Sequence, residues 1–235
     1  MKNCILTILC EGPTEDNFAK KVLAPYLHPY GIHTKTVILQ TSRKKGARGG
    51  MISFQQAVND LGRIFASIKT NRSETNIVTT MFDFYALPND FVGYADAMVM
   101  NGPREQVRAL EEAFGRAVNR RNFIPYIQLH EFEALLFSDI SKLEIDYPSC
   151  TKDVAKLKAE TDRIGDPELI NNGADTAPSK RIKSCLYPKY NYDKVRSGVN
   201  VAKAISLGVI LHSCVHFNDW IEGIISLSNL LEVEK

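Results

Sequence analysis

Ile5-Leu6-Thr7-Ile8-Leu9-Cys10-Glu11-Gly12-Pro13-Thr14-Glu15-Asp16 joins a compact apolar run to an acidic turn, and that junction decides the fold. Ile5 to Cys10 suits a strand buried on both faces of a parallel sheet. Glu11-Gly12-Pro13-Thr14 breaks the run. Thr14 is placed to cap a helix, with Glu15 and Asp16 in its first turn, where a negative charge meets the positive end of the helix dipole. Phe18, Val22, Tyr26 and Leu27 give this helix an apolar face, and Pro25 is expected to kink or end it.

Working outward, the same alternation recurs. Thr36 to Gln40 reads as a second strand, and the Arg-, Lys- and Gly-rich tract from Thr41 to Met51 as a basic loop. Ser53 can cap a helix on which Phe54, Ala57, Val58, Leu61, Phe65 and Ile68 recur at helical spacing. Asn76 to Phe82 is a third strand, rich in β-branched residues. A helix bearing Val107, Leu110, Phe114 and Val118 leads to a fourth strand from Phe123 to Leu129. The pattern predicts an α/β core over residues 1–140, a mostly parallel sheet flanked by helices. Residues 141–235 are expected to form a helical extension packed on it, with Pro178 to Leu186 a short basic helix and Val199 to Leu231 an apolar helical region holding Trp220.

A chain of 235 residues, 44% hydrophobic and 24% charged, is ordinary for a globular protein. A net charge of +2 is too small for the whole molecule to act as a polyanion binder, so nucleic-acid affinity must come from local clusters. No apolar run reaches membrane length, and the start lacks the features of a signal peptide. Five scattered cysteines without a CxxC pair argue against a disulfide framework or a zinc site, and a cytoplasmic location is the simple expectation.

The chemistry is concentrated at strand ends. Glu11 follows the first strand, Asp83 the third, and Glu131 with Glu133 the fourth. Ligands of open α/β sheets sit outside the carboxyl ends of the strands, so parallel strands would bring these acids to one edge. Two carboxylates about 4 Å apart repel by roughly 4 kcal/mol at an effective dielectric near 20. A cation or a shared proton must offset that repulsion. Oxygen-only ligands favour Mg²⁺ or Mn²⁺, and a divalent ion among acids suits phosphoryl chemistry. The plain alternative for Glu11 is a helix-capping or solvated residue, and one of Glu131 and Glu133 is expected to be structural.

Basic residues supply the second signal. Arg43, Lys44, Lys45 and Arg48 lie among glycines after the second strand. Lys180 and Arg181 follow Pro178-Ser179, and Lys194 is interleaved with tyrosines. Cations mixed with aromatics suit phosphate contacts and base stacking. His130 is read as a satisfied histidine of the core or edge, and His212 and His216 as packing or surface residues.

Glu11-Gly12-Pro13-Thr14-Glu15 after an apolar strand resembles the first motif of Toprim domains. With Phe82-Asp83-Phe84-Tyr85-x-Leu87-Pro88 and His130-Glu131-Phe132-Glu133-Ala134-Leu135-Leu136-Phe137-Ser138-Asp139, and with Pro178-Ser179-Lys180-Arg181 and Tyr192-x-Lys194, the chain resembles the Toprim-like domain-of-unknown-function family 4276. The resemblance implies a Rossmann-like Toprim fold akin to the overcoming-lysogenization-defect nucleases. It implies a Mg²⁺- or Mn²⁺-dependent nuclease acting on RNA, such as tRNA, or on DNA. It further implies an effector of PARIS-type anti-phage systems, held back or delivered by an ABC-like ATPase, with a homodimer compatible. By position Glu11 matches the catalytic glutamate, Asp83 the first acid of Asp-x-Asp, and Glu131 or Glu133 a further acid. Glu11, Asp83 and Glu133 are the expected metal ligands. Tyr85 departs from the pattern at the second Asp position. That leaves a rival expectation, a degenerate Toprim-like subunit that docks on an ATPase without cutting.

Overall fold

The computed structural model describes residues 3–40, 51–68, 74–171 and 176–233. Its centre is a five-stranded, wholly parallel sheet in which β1 (Cys4–Cys10) lies between β2 (Ile32–Ile38) and β3 (Thr75–Asp83). β4 (Phe123–Ile124) and β5 (Ile127–Gln128) both pair with β3 on its far side. The expected α/β architecture is therefore present. From β1 the chain passes to β2 on one side and later to β3 on the other, so the strand order reverses between β1 and β3. Such a switch point opens a crevice at the carboxyl ends of the two strands.

β1 and β3 are buried because both faces of the sheet are covered. Leu6, Ile8 and Cys10 point into one cluster with Phe18, Phe132, Phe217, Ile221 and Ile224. Leu9 points the other way, with Val78, Phe82, Leu110 and Phe114. Residues beyond 141 thus share the first cluster with the sheet. The five cysteines are free thiols, and among the described residues no helix is long and apolar enough to cross a membrane.

Four local expectations change. The second strand begins at Ile32, well before Thr36: it is an edge strand with polar outward residues such as His33 and Lys35, which hide it from a search for apolar runs. The fourth strand splits around Pro125, which has no N–H for a ladder. Threonines of β3 fill the gap: Thr80 Oγ1 accepts from Tyr126 N and donates to Tyr126 O, both at 2.9 Å. Helix α1 (Pro13–Phe18) starts at Pro13 with Gly12 as N-cap, which places Thr14 inside it. Proline favours the first helical position, having a preset φ and no N–H to lose. Pro25 ends nothing. A π-helical turn, Ala19–Leu23, widens the helix immediately before α2 (Ala24–Leu27) and absorbs the clash a proline makes with the preceding turn.

The far face is built from α3 (Phe54–Ser67), the short α4 (Tyr94–Ala97) and α5 (Pro103–Val118). Ser53 is the N-cap of α3, but its side chain makes no cap bond; Asp90 Oδ1 accepts from Phe54 N instead.

The extension opens with a 3-10 run, Phe132–Ile145, kinked at Asp139. α6 (Thr151–Thr161), α7 (Pro178–Leu186), α8 (Val199–Ile205), α9 (Leu207–Ser213) and α10 (Val215–Val233) follow. The expected apolar region from Val199 is thus three helices. Trp220 anchors α10 on the sheet: its indole donates to Thr79 Oγ1 at 2.8 Å and stacks 4.1 Å from Tyr126. The α10 N-terminus is held by buried Glu168, which accepts from His216 N and Phe217 N at 2.8 and 2.9 Å. His216 also lies 3.1 Å from Glu111, a half-buried pair clamping α10 to α5.

Candidate functional site

The crevice between β1 and β3 is acidic. Glu11 continues β1 by donating its N–H to Met81 O, and its Oε2 accepts from Asp83 N at 2.9 Å. Asp83 ends β3. Its Oδ1 accepts from Phe132 N at 2.9 Å and its Oδ2 from Lys194 Nζ at 3.2 Å. Register explains the meeting: Asp83 pairs with Gln128, so the chain leaving β5 brings residues 130–133 alongside it. Glu133 is fully buried, with Oε2 3.1 Å from Lys194 Nζ and otherwise no hydrogen bond to either oxygen. Glu15, on the first turn of α1, is 4% exposed and 4.0 Å from the same ammonium.

Lys194 is the centre of this arrangement. It comes from a π-helical turn, Lys194–Gly198, whose start is capped by Asp193 Oδ1 accepting from Arg196 N at 3.0 Å. Tyr192 precedes it, half-buried with its hydroxyl turned in beside Gly198, where a Cβ would stand 2.8 Å from that hydroxyl. Only glycine leaves room for this ring, and the ring in turn sets the position of Lys194.

The electrostatics follow from burial. Burial, then the Asp83 charge, pushes the Glu11 carboxyl up to about 8, although the Asp83 N–H opposes the shift. Burial and Asp83 push Glu15 up to about 7. Burial pushes Glu133 to about 7 as well, with Lys194 opposing and Glu131 and Asp83 adding to the rise. Burial alone would lower the Lys194 ammonium, but Asp83, Glu133, Glu15 and Glu131 outweigh it and hold it above its ordinary value.

This has a consequence for stability. Glu11, Glu15 and Glu133 carry folded-state values above the ordinary 4.5, so folding favours their protonated forms. Their contribution is complete below about 4.5 and is lost as pH rises through about 7 to 8. In metal-free buffer the protein should melt about 5 °C lower at pH 8.5 than at pH 6, and saturating Mg²⁺ should narrow the gap. Melting curves at the two pH values, with and without Mg²⁺, check this; equal midpoints without metal would contradict it.

The other expected residues are placed as follows. Glu131 Oε1 accepts from Ser179 N at 2.6 Å, at the N-terminus of α7, and so ties that helix to the site. Lys180 and Arg181 are on the same helix. Lys180 is exposed, and Arg181 Nε donates to Thr176 O at 2.8 Å. Arg43, Lys44, Lys45 and Arg48 lie outside the described residues. Tyr85 sits just past Asp83 on a 3-10 turn, Phe84–Ala86. Burial and then Glu131 push its phenol up to about 12, so it stays protonated at neutral pH. His130 is buried, as expected of a core histidine, but its ring nitrogens meet no side-chain partner and only the Glu168 backbone lies near them. Glu15 is read from the sequence as a first-turn helix acid and as the last residue of the Glu11–Glu15 motif, with no site role of its own. Lys194 was legible as a phosphate-binding cation, whereas it makes ion pairs with three acids.

Glu11, Glu15, Asp83 and Glu133 offer only hard oxygen donors, and Glu133, fully buried with the Lys194 ammonium as its counter-charge, is the kind of buried carboxylate that a cation satisfies. Their chemistry fits Mg²⁺ or Mn²⁺. Among the described residues no three His, Cys, Asp or Glu side chains are already gathered for a metal, because the Lys194 ammonium stands between the carboxylates.

No curated protein and no solved structure matches the chain significantly. A family model described as a domain of unknown function, DUF4276, matches residues 10–225, nearly the whole of the fold and every acid of the crevice. The chain belongs to the DUF4276 family.

Proposed function

We propose that this protein is a metal-dependent nuclease that hydrolyses phosphodiester bonds in RNA, such as tRNA, or in DNA. The observation that carries the reading is the meeting of Glu15, Asp83 and Glu133 around Lys194, with Glu11 held on the Asp83 N–H, at the switch point of a parallel sheet. Like charges are rarely gathered in buried surroundings without a role for a cation.

Glu11, Glu15 and Asp83 would hold Mg²⁺ or Mn²⁺, with Glu133 joining as Lys194 moves aside. The ion, when bound, neutralises phosphate charge and makes water a stronger nucleophile. Glu11, raised to about 8 in the metal-free cluster, would give up its proton as the ion binds. Lys194, one-third exposed, can swing from the acids to a non-bridging phosphate oxygen. Lys180, with Arg181 on the same helix, can grip the phosphate backbone beside the site. The sequence resemblance extends the proposal to an effector of anti-phage defence, working in the cytoplasm with an ABC-like ATPase.

A second reading has one observation in its favour. Lys194 already compensates Asp83 and Glu133, so the cluster is held without a metal, as a degenerate subunit docking on an ATPase would require. Incubation with total tRNA and with supercoiled plasmid, in Mg²⁺, in Mn²⁺ and in EDTA, separates the two. The nuclease reading predicts cutting that EDTA abolishes; intact substrates under every condition favour the docking subunit.

A further inference from the structure

We propose that the exposed ring of Tyr85, backed by His130, is a stacking platform for a nucleobase next to the phosphate at the acid crevice, so that the site takes an unpaired strand in preference to a closed duplex. This deepens the nuclease reading and rests on it.

Tyr85 is two residues past Asp83, and its ring is 44% exposed on a turn otherwise anchored by the half-buried Phe84 and the buried Leu87. A large ring left open beside a charged crevice has no packing to lose and a flat apolar face to offer. It is also held rigid. Tyr85 N donates to His130 O at 3.0 Å, and the His130 imidazole lies behind the ring, with centroids 5.2 Å apart. Phe84 flanks it at 6.3 Å. The platform is therefore set before any ligand arrives, which limits the ordering cost of binding.

His130 has features that packing alone leaves unexplained. It is 3% exposed, has a positive φ of 63°, and its ring nitrogens meet no side-chain partner, with only the Glu168 backbone near them. A non-glycine residue in that region is uncommon, and such strain collects at functional sites. Burial pushes the imidazole down to about 4, against smaller opposition from the Glu168 backbone and Asp166, so at neutral pH it is an uncharged plate. It braces Tyr85 without drawing a phosphate away from the acids.

A base can reach such a ring only when unpaired and splayed from its neighbours, because stacking on aromatic side chains is the usual mode for single strands. A closed duplex offers its phosphates but not its base faces.

The test uses the full chain in Ca²⁺ and an oligonucleotide carrying a fluorescent purine analogue, single-stranded or annealed to its complement. Wild type should quench the analogue and bind the single strand about ten-fold tighter than the duplex. Tyr85→Phe should keep both properties. Tyr85→Ala and Tyr85→Leu should lose the quench and bind the single strand about 30-fold more weakly, with little change on the duplex. Tyr85→Leu keeps an apolar side chain, so it separates stacking from simple burial. If Tyr85→Leu behaves as wild type, or the alanine variant weakens both substrates equally, the platform is overturned and the nuclease reading stands. If wild type binds neither substrate, the nucleic-acid reading falls and takes the platform with it.

Discussion

Asp83→Asn should cut on the order of 10³-fold more slowly than wild type, equivalent to about 4 kcal/mol of lost transition-state stabilisation, with a melting temperature within a few degrees of wild type. Asp83 ties together Glu11, the start of the 3-10 run and Lys194. Its backbone N–H is held by Glu11, one carboxylate oxygen by Phe132 N, and the other by Lys194. Asparagine preserves the shape and keeps an oxygen for Phe132 N, so the junction of β3 with the 3-10 run survives. What is lost is the charge, which both a divalent ion and Lys194 need. Cleavage rates and melting curves on the same preparations decide the matter. A variant that cuts as fast as wild type removes Asp83 from the chemistry; one that fails to fold assigns it to structure.

Lys194→Met should have the second large effect, and on stability in the first place. Removing the ammonium leaves Asp83, Glu133 and Glu15 facing one another without their counter-charge. Breaking a buried pair in this way costs about 3–5 kcal/mol, more than deleting both partners would. The loss should be greatest near pH 8.5, where the acids would all be charged, and smaller near pH 6, where protons replace the missing cation. Millimolar Mg²⁺ should restore much of the loss, because the ion would take the place of the ammonium. Urea denaturation at the two pH values, with and without Mg²⁺, tests each part. A variant as stable as wild type at pH 8.5 would mean that the ion pairs contribute nothing.

The sheet was legible wherever a strand is buried on both faces. Ile5 to Cys10 is a compact apolar run and Asn76 to Phe82 is rich in β-branched residues because helices cover both strands above and below, and both appear within a residue or two of their expected bounds. β2 was not, since an edge strand shows solvent its polar residues and loses the apolar signature. The break at Pro125 is visible in the sequence, but its repair by the Thr79 and Thr80 side chains is a property of the neighbouring strand.

The acids followed the same logic. Glu11 and Asp83 announce themselves because each directly follows a strand. Glu15 does not, because an acid in the first turn of a helix is ordinary, and only the fold turns it toward Asp83. Lys194 is 111 residues from Asp83, and no periodicity connects them. The motif Tyr192-x-Lys194 marked the segment, but its task became visible only with Gly198 and the half-buried ring. The burial of His130 was foreseeable, whereas its positive φ belongs to the tight exit from β5.

The central claim is that the crevice is a metal site. Its most direct test is calorimetric titration of Mn²⁺ into wild type and Asp83→Asn near pH 7.5, repeated in buffers of different ionisation enthalpy. The account predicts saturable binding by wild type, release of protons from the raised carboxyls, and binding at least ten-fold weaker in Asp83→Asn. Absence of binding by wild type, or equal binding by both proteins without proton release, would contradict it.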